Sequence, residues 1–114
     1  MTSNMISFDD FMKVDMRVGK IIHVEDFSRT KRPTYKVKVD FGAEVGIKWS
    51  SVQAATEYSK DEMLDRYVIG VVNFPPKNIA GFMSEVLLLG VPAEDGSLSL
   101  LVPSRLAKIG GRVY

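Results

Sequence analysis

Apolar and polar residues alternate strictly from Tyr35 to Phe41: Tyr35, Val37, Val39 and Phe41 fall on one side, Lys36, Lys38 and Asp40 on the other. A period of two predicts a half-buried strand with a wet, basic face. Gly42 to Glu44 reads as a tight turn. Beyond it, Val45, Ile47 and Trp49 alternate with Gly46, Lys48 and Ser50, and the two strands are expected to pair as a hairpin. That phase brings Lys48 to the lysine face and turns Trp49, in step with Ile47, toward the core. Upstream, Arg17 to Glu25 (RVGKIIHVE) is β-rich and Phe27 to Thr34 (FSRTKRPT) is a polar loop. Ser7 to Met12 reads as a turn or two of helix: Ser7 caps, Asp9 and Asp10 suit the positive N-terminus, and Phe8, Phe11 and Met12 share a side. Downstream come a helical interlude from Gln53 to Arg66, a strand from Tyr67 to Asn73, and a loop from Phe74 to Phe82. An apolar strand from Met83 to Leu89, a short last strand from Leu98 to Val102 and a tail from Pro103 to Tyr114 complete the order.

Five strands with a helix between the third and fourth is the layout of an all-β OB-fold barrel, here with a short N-terminal helix and a C-terminal extension. Periodicity alone leaves other small barrels open. In an OB-fold the ligand lies across strands 2 and 3, flanked by the loops FSRTKRPT and FPPKNIAGF. The 114 residues suit one domain, 1–114. Charge sharpens the picture. Lys13 to Lys38 holds eight basic residues against three acidic ones, and Asp40 to Arg66 reverses the balance with three against six, so a net charge of +1 hides one basic lobe. Such a lobe attracts phosphates or an acidic partner, or is simply a solvated face. With no cysteine there is no disulfide framework. The N-terminus has no signal-peptide pattern, and no apolar run approaches the roughly 20 residues of a membrane helix. The expectation is a cytoplasmic protein that does not insert into membranes.

Catalysis finds little support. The one histidine, His23, lies inside a strand without a nearby acid. No metal-ligand spacing, phosphate loop or nucleophile elbow occurs. The paired carboxylates Asp9–Asp10 and Asp61–Glu62 fall where helix N-termini are expected, and capping explains them. No cofactor or metal is expected, and the chain is read as a binding protein rather than an enzyme. Asn73 to Glu85 is different: Phe74, Ile79, Phe82 and Met83 are large apolar groups around a loop that Pro75 and Pro76 stiffen, with Lys77 beside them. The mixture suits a nucleotide base or an apolar peptide side chain, and equally suits plugging a barrel end or a dimer contact.

Four segments in register, KVDMRVGKI (Lys13–Ile21), KVKVDFG (Lys36–Gly42), Ser50–Ser51 and NFPPKNIAGFMSE (Asn73–Glu85), resemble the tRNA-binding-domain family, and within it the CsaA-type export chaperones. The resemblance runs from about Phe8 to the C-terminus. It implies an OB-fold, a homodimer formed through terminal extensions, and tRNA recognition by shape. CsaA-type members are also described as binding unfolded preproteins and assisting export with the secretion ATPase. Phe8, Phe11, Met12, Leu106, Ile109, Val113 and Tyr114 then become a dimer interface. Ser50, Ser51, Asn73, Lys77, Ser84 and Glu85 match the family's binding blocks. Ile47-Lys48-Trp49 and Val86-Leu87 depart from many tRNA-binding relatives and favour the CsaA type. Expected phosphate contacts are Arg29, Lys31, Arg32, Lys36, Lys38, Lys48 and Lys77; the expected peptide groove is Phe74, Pro75, Pro76, Ile79, Phe82 and Met83. The expected function is a CsaA-like chaperone for unfolded preproteins and peptides with tRNA-binding capacity; the alternative is a stand-alone, structure-specific tRNA-binding protein.

Overall fold

The computed structural model describes residues 4–28 and 30–114. Its elements are α1 (Phe8–Met12), β1 (Met16–Asp26), β2 (Tyr35–Asp40), α2 (Gly42–Val45), β3 (Ile47–Val52), α3 (Lys60–Met63), β4 (Tyr67–Val71), β5 (Lys77–Ile79), β6 (Phe82–Ser84), β7 (Leu87–Leu88), β8 (Gly90–Pro92) and β9 (Leu98–Leu100). Five antiparallel strands in the order β3-β2-β1-β4-β7 form a nearly closed barrel, the OB-fold expected from the sequence. The 11-residue β1 serves both halves. Its start pairs with β4 (Met16 opposite Val71) and its end with β2 (Asp26 opposite Tyr35), with a bulge between Ile21 and His23 that bends it.

Alternating residues fill the barrel: Ile21, Val37, Val39, Phe41, Met63 and Val68 are fully buried. The Phe41 ring reaches this position because β1 and β4 carry Gly19 and Gly70 beneath it; a Cβ at Gly19 would stand 2.7 Å from the ring and one at Gly70 2.9 Å. Between β3 and β7 the ladder gives way to side chains. Glu85 N–H donates to the Trp49 carbonyl (2.8 Å), Trp49 N–H donates to the Glu85 carboxylate (2.9 Å), and Ser51 N–H donates to the Ser84 hydroxyl (3.2 Å).

Several elements differ from the sequence expectation. Of the Gln53–Arg66 interlude, only Lys60–Met63 is α-helical. Ser59 is extended and caps this helix, the Tyr35 hydroxyl takes the Tyr58 carbonyl (2.7 Å), and Asp65 turns the chain back with a φ of 66°. Gly42–Glu44 belongs to a helical turn rather than a tight one. The expected loop Phe74–Phe82 contains the small hairpin β5–β6, turned at Ala80 and Gly81 with φ of 51° and 89°. Two positive values in succession identify a type I′ turn. The expected strand Met83–Leu89 is split into β6 and β7, because Glu85 and Val86 lean across to β3. The tail runs beside the start of β1, where β2 leaves an edge free: Val18 N–H donates to the Gly111 carbonyl (2.9 Å) and Val113 N–H to the Met16 carbonyl (2.8 Å).

Candidate nucleic-acid and peptide interface

The registers of β1, β2 and β3 set two rows on the outer surface of the sheet. His23 stands opposite Lys38, and Lys38 opposite Trp49; Glu25 stands opposite Lys36, and Lys36 opposite Ser51. Opposed residues of an antiparallel pair project to the same side. Trp49 is therefore on the outer face beside the lysines, and Lys48, opposite Val39, is on the other one. Both placements reverse the sequence expectation. The phase of β3 is set by Ser50 and Val52, which are buried, while Ile47 is 56% exposed and Val45 packs on the core from the helical turn. Ser50 is polar, so it hides the alternation; its hydroxyl donates to the Val86 carbonyl (2.9 Å) and is satisfied inside the barrel.

Around Trp49 the rings form a chain. Its centroid lies 5.8 Å from Phe82 and 5.9 Å from His23, both edge-on, and Phe82 lies 5.5 Å from Phe27. Lys36 Nζ stands 4.9 Å from the Phe27 ring and 5.1 Å from Phe82; Lys38 Nζ stands 5.1 Å from Trp49. Cations at this distance are attracted by the ring quadrupole. The face thus offers positive charge held over aromatic surface, two groups that nucleic acids use together. His23 does have an acid beside it: two positions on along the same strand face, the Glu25 carboxylate lies 2.9 Å from Nε2 and 3.9 Å from Lys36 Nζ. His23, Trp49 and Phe27 were not singled out as site residues. The signal that finds them is the period-two reading of β1, extended to the lysine rows.

The remaining expected site residues divide. Lys31 and Arg32 are exposed in the loop after β1, where the Thr30 and Thr34 hydroxyls both donate to the Arg32 carbonyl (2.7 and 2.8 Å). Arg29 lies outside the described residues. Lys77 is exposed on β5. Ser84, also buried, accepts from Ser51 N–H, and Glu85 holds Trp49, so with Ser50 these groups position the wall that carries the face. Asn73 is likewise a clamp: its amide donates to the Lys13 carbonyl (2.7 Å) and its oxygen accepts from Asp15 N–H (3.1 Å).

Next to the aromatic chain is a groove of about 390 Å³, lined mainly by Phe74, Pro75, Lys77, Ile79, Val86 and Leu87. Three of the expected peptide residues meet there. Phe82, paired with Ile79, joins the aromatic chain, while Met83, paired with Asn78, points away; Pro76 is exposed outside the lining. Among the expected dimer residues, Phe8, Leu106 and Tyr114 are 70%, 87% and 99% exposed, and Phe11, Met12, Ile109 and Val113 are half-buried.

Among the described residues no group of three or more His, Cys, Asp or Glu is placed to hold a metal, and no helix is long and apolar enough to cross a membrane. A family model described as a putative tRNA binding domain matches residues 16–112. The methionine--tRNA ligase of Thermococcus onnurineus is 41% identical over 109 residues, 95% of this chain and 14% of the ligase. That of Neisseria meningitidis is 40% identical over 108 residues, 94% of this chain and 16% of the ligase, so the chain spans about a seventh of these relatives. Among solved structures, the CsaA chaperone protein of Picrophilus torridus is similar at 47% identity and a TM-score of 0.89, covering 96% of this chain and 100% of that one. The chaperone CsaA of Bacillus anthracis follows at 39% identity and a TM-score of 0.88, covering 96% and 99%. With a family model matching nearly its whole length and folded relatives of the same size, the chain belongs to the tRNA-binding-domain family.

Proposed function

We propose that the chain binds tRNA across the outer face of β1, β2 and β3, and holds segments of unfolded polypeptide in the adjoining groove in the manner its CsaA relatives' names imply. The observation that carries the tRNA reading is the stacking of Lys36 and Lys38 over Phe27, Phe82 and Trp49, beside the exposed cations Lys31, Arg32 and Lys77. Phosphates meet the ammonium groups while unpaired bases lie against the rings. The polypeptide reading rests on the groove of Phe74, Pro75 and Ile79, stiffened by proline and closed by a type I′ hairpin, so little entropy is lost on docking. Binding of preproteins for export, with the secretion ATPase as a further partner in a cytoplasmic setting, belongs to this second reading.

Salt separates the two. Affinity for tRNA falls steeply as salt rises, and the double change Lys36→Glu, Lys38→Glu abolishes it and flattens the salt slope. Suppression of aggregation of an unfolded test protein persists at high salt and is lost in Phe74→Asp, which leaves tRNA affinity within about twofold, as expected when the two surfaces act independently. Unchanged tRNA binding in the lysine double variant overturns the face assignment; unchanged aggregation suppression in folded Phe74→Asp overturns the groove.

A further inference from the structure

The β5–β6 hairpin is a sheet of two strands, so β5 has β6 on one side and no strand on the other. Its register shows which backbone groups the open side presents. Ile79 stands opposite Phe82 across the type I′ turn, Lys77 opposite Ser84, and Asn78 opposite Met83 between them. In an antiparallel ladder, pairs that exchange both hydrogen bonds alternate with pairs that exchange none. A two-residue turn is closed by a bonded pair, here Ile79 and Phe82, so Lys77 and Ser84 form the second bonded pair. The N–H and C=O of Asn78 therefore point away from β6. Asn78 is exposed, and its side chain is engaged in the turn, its oxygen accepting from Gly81 N–H (2.8 Å).

This edge has one register only. Pro75 and Pro76 precede it and offer no N–H, and Ala80, with a φ of 51°, turns the chain away after it. Short edges ordinarily discourage pairing. Here the edge borders the apolar groove: Lys77 and Ile79, the neighbours of Asn78, both line it, with Phe74 and Leu87, which are 53% and 50% exposed. A strand laid on the edge brings its own alternate side chains to the groove side, beside Lys77 and Ile79. Lys77 has no ion pair among the described residues, whereas the one acid of the groove, Glu85, is bonded to Trp49 N–H.

We propose that the groove selects extended polypeptide that adds a third strand to the hairpin, one residue exchanging both main-chain bonds with Asn78. Antiparallel pairing is the more stable direction. In that direction the residue before the paired one stands opposite Ile79 and is apolar, and the residue after it stands opposite Lys77 and is acidic. An N–H beside a C=O matches another peptide backbone, while the carbonyl repels a phosphodiester, so the occupant is polypeptide rather than RNA. The inference rests on the polypeptide reading above and gives it a substrate class: strand-forming segments reading apolar, any residue, acidic.

The test uses the full chain and an acetylated, amidated heptapeptide, TVTVTDT, whose fifth residue faces Asn78. Calorimetry follows binding, and NMR follows amide proton exchange. Saturation slows exchange of the Asn78 N–H. N-methylation of the fifth residue, which removes the donor to the Asn78 carbonyl, weakens binding about tenfold or more, and N-methylation of the fourth, whose N–H points outward, changes it by less than about threefold. Lys77→Glu weakens TVTVTDT and tightens its lysine counterpart TVTVTKT. Equal losses from the two methylations, an unprotected Asn78 N–H at saturation, or a Lys77→Glu effect independent of peptide charge overturns the proposal. So does an Asn78 amide already protected in the free protein, where a second copy of the chain covers the edge. Absence of heptapeptide binding overturns it too; whether the groove reading survives is then decided separately, by suppression of aggregation in the wild type and in Phe74→Asp.

Discussion

Two serine caps show how single residues govern this molecule. Ser7 and Ser59 each accept from the backbone of the acidic residue three positions on, and Asp10 and Glu62 reach back to the serine N–H (3.2 and 2.9 Å). Of the paired carboxylates expected at helix N-termini, one from each pair, Asp10 and Glu62, closes a capping box, and Asp9 and Asp61 lie in the same first turns. Bonds from the Ser59 backbone and then its hydroxyl hold the Glu62 carboxyl below its ordinary value of 4.5, and Ser7 and Lys13 do the same for Asp10 below 3.8. A carboxyl depressed on folding stabilises the native state above its unfolded pKa, and that contribution is lost as pH falls through the folded value. Melting temperature should therefore decline on acidification below about 4.5, and Glu62→Gln, which keeps an acceptor for the cap, should shallow the decline while changing little at neutral pH. A pH series of thermal melts checks this; parallel curves for the two proteins would remove Glu62 from the acid response. At the same scale, the lysine face was legible because Tyr35, Val37 and Val39 alternate without exception. Trp49 was not. Its neighbour Ser50 occupies an inward position with its hydroxyl bonded to a carbonyl, and apolar-in, polar-out reasoning assigns such a residue to the wrong side.

Elements are joined by a knot that the sequence displays as KVDMRVG but does not explain. Arg17 on β1, with 13% of its side chain exposed, donates from Nε to Asp15 (2.6 Å) and from one terminal nitrogen to Glu44 (2.9 Å) and the Gly110 carbonyl (3.1 Å). Its pKa is raised above the ordinary arginine value, chiefly by the bond to Asp15. One side chain thus ties β1 to the approach from α1, to α2 and to the tail. Arg17→Ala should cost about 2–3 kcal/mol in urea unfolding, short of the 3–5 of a fully buried pair because Glu44 is exposed. A loss under about 0.5 kcal/mol would show that the tail is held by its backbone bonds alone. Strand and hairpin positions were readable where period two is clean, as in β2. The interlude after β3 was not, since Ala54, Tyr58 and Met63 point inward from a turn, a loop and a helix in succession, which on paper resembles one helical stripe.

For the molecule as a whole, the two chain ends converge. Arg112 donates to the Met12 carbonyl (2.6 Å), drawing α1 and the tail together beside β1. Met5, Ile6 and Phe8 at one end and Leu106 and Tyr114 at the other are all exposed. Such exposure is large for a chain of this size. We propose a homodimer through this region, the arrangement that the family resemblance implies. Sedimentation equilibrium should give a dimer, and the combined change Phe8→Asp, Leu106→Asp a folded monomer. Because two linked sites bind a large ligand more tightly than one, the monomer should also lose tRNA affinity by more than tenfold, up to the roughly 100-fold and beyond that avidity supplies. A monomeric wild type would refute the interface. The OB-fold itself could be read from strand order, whereas barrel closure through Ser84 and Glu85 could not, because no periodicity marks a side chain that replaces a strand.

The outward turn of Trp49 has an optical consequence. It is the single tryptophan of the chain, held edge-on to His23 beneath Lys38. Its emission therefore samples one place only, the middle of the proposed tRNA face. A base laid on the ring alters that emission by stacking. The protein carries its own fluorophore where occupancy would be read, so titrations there need no label.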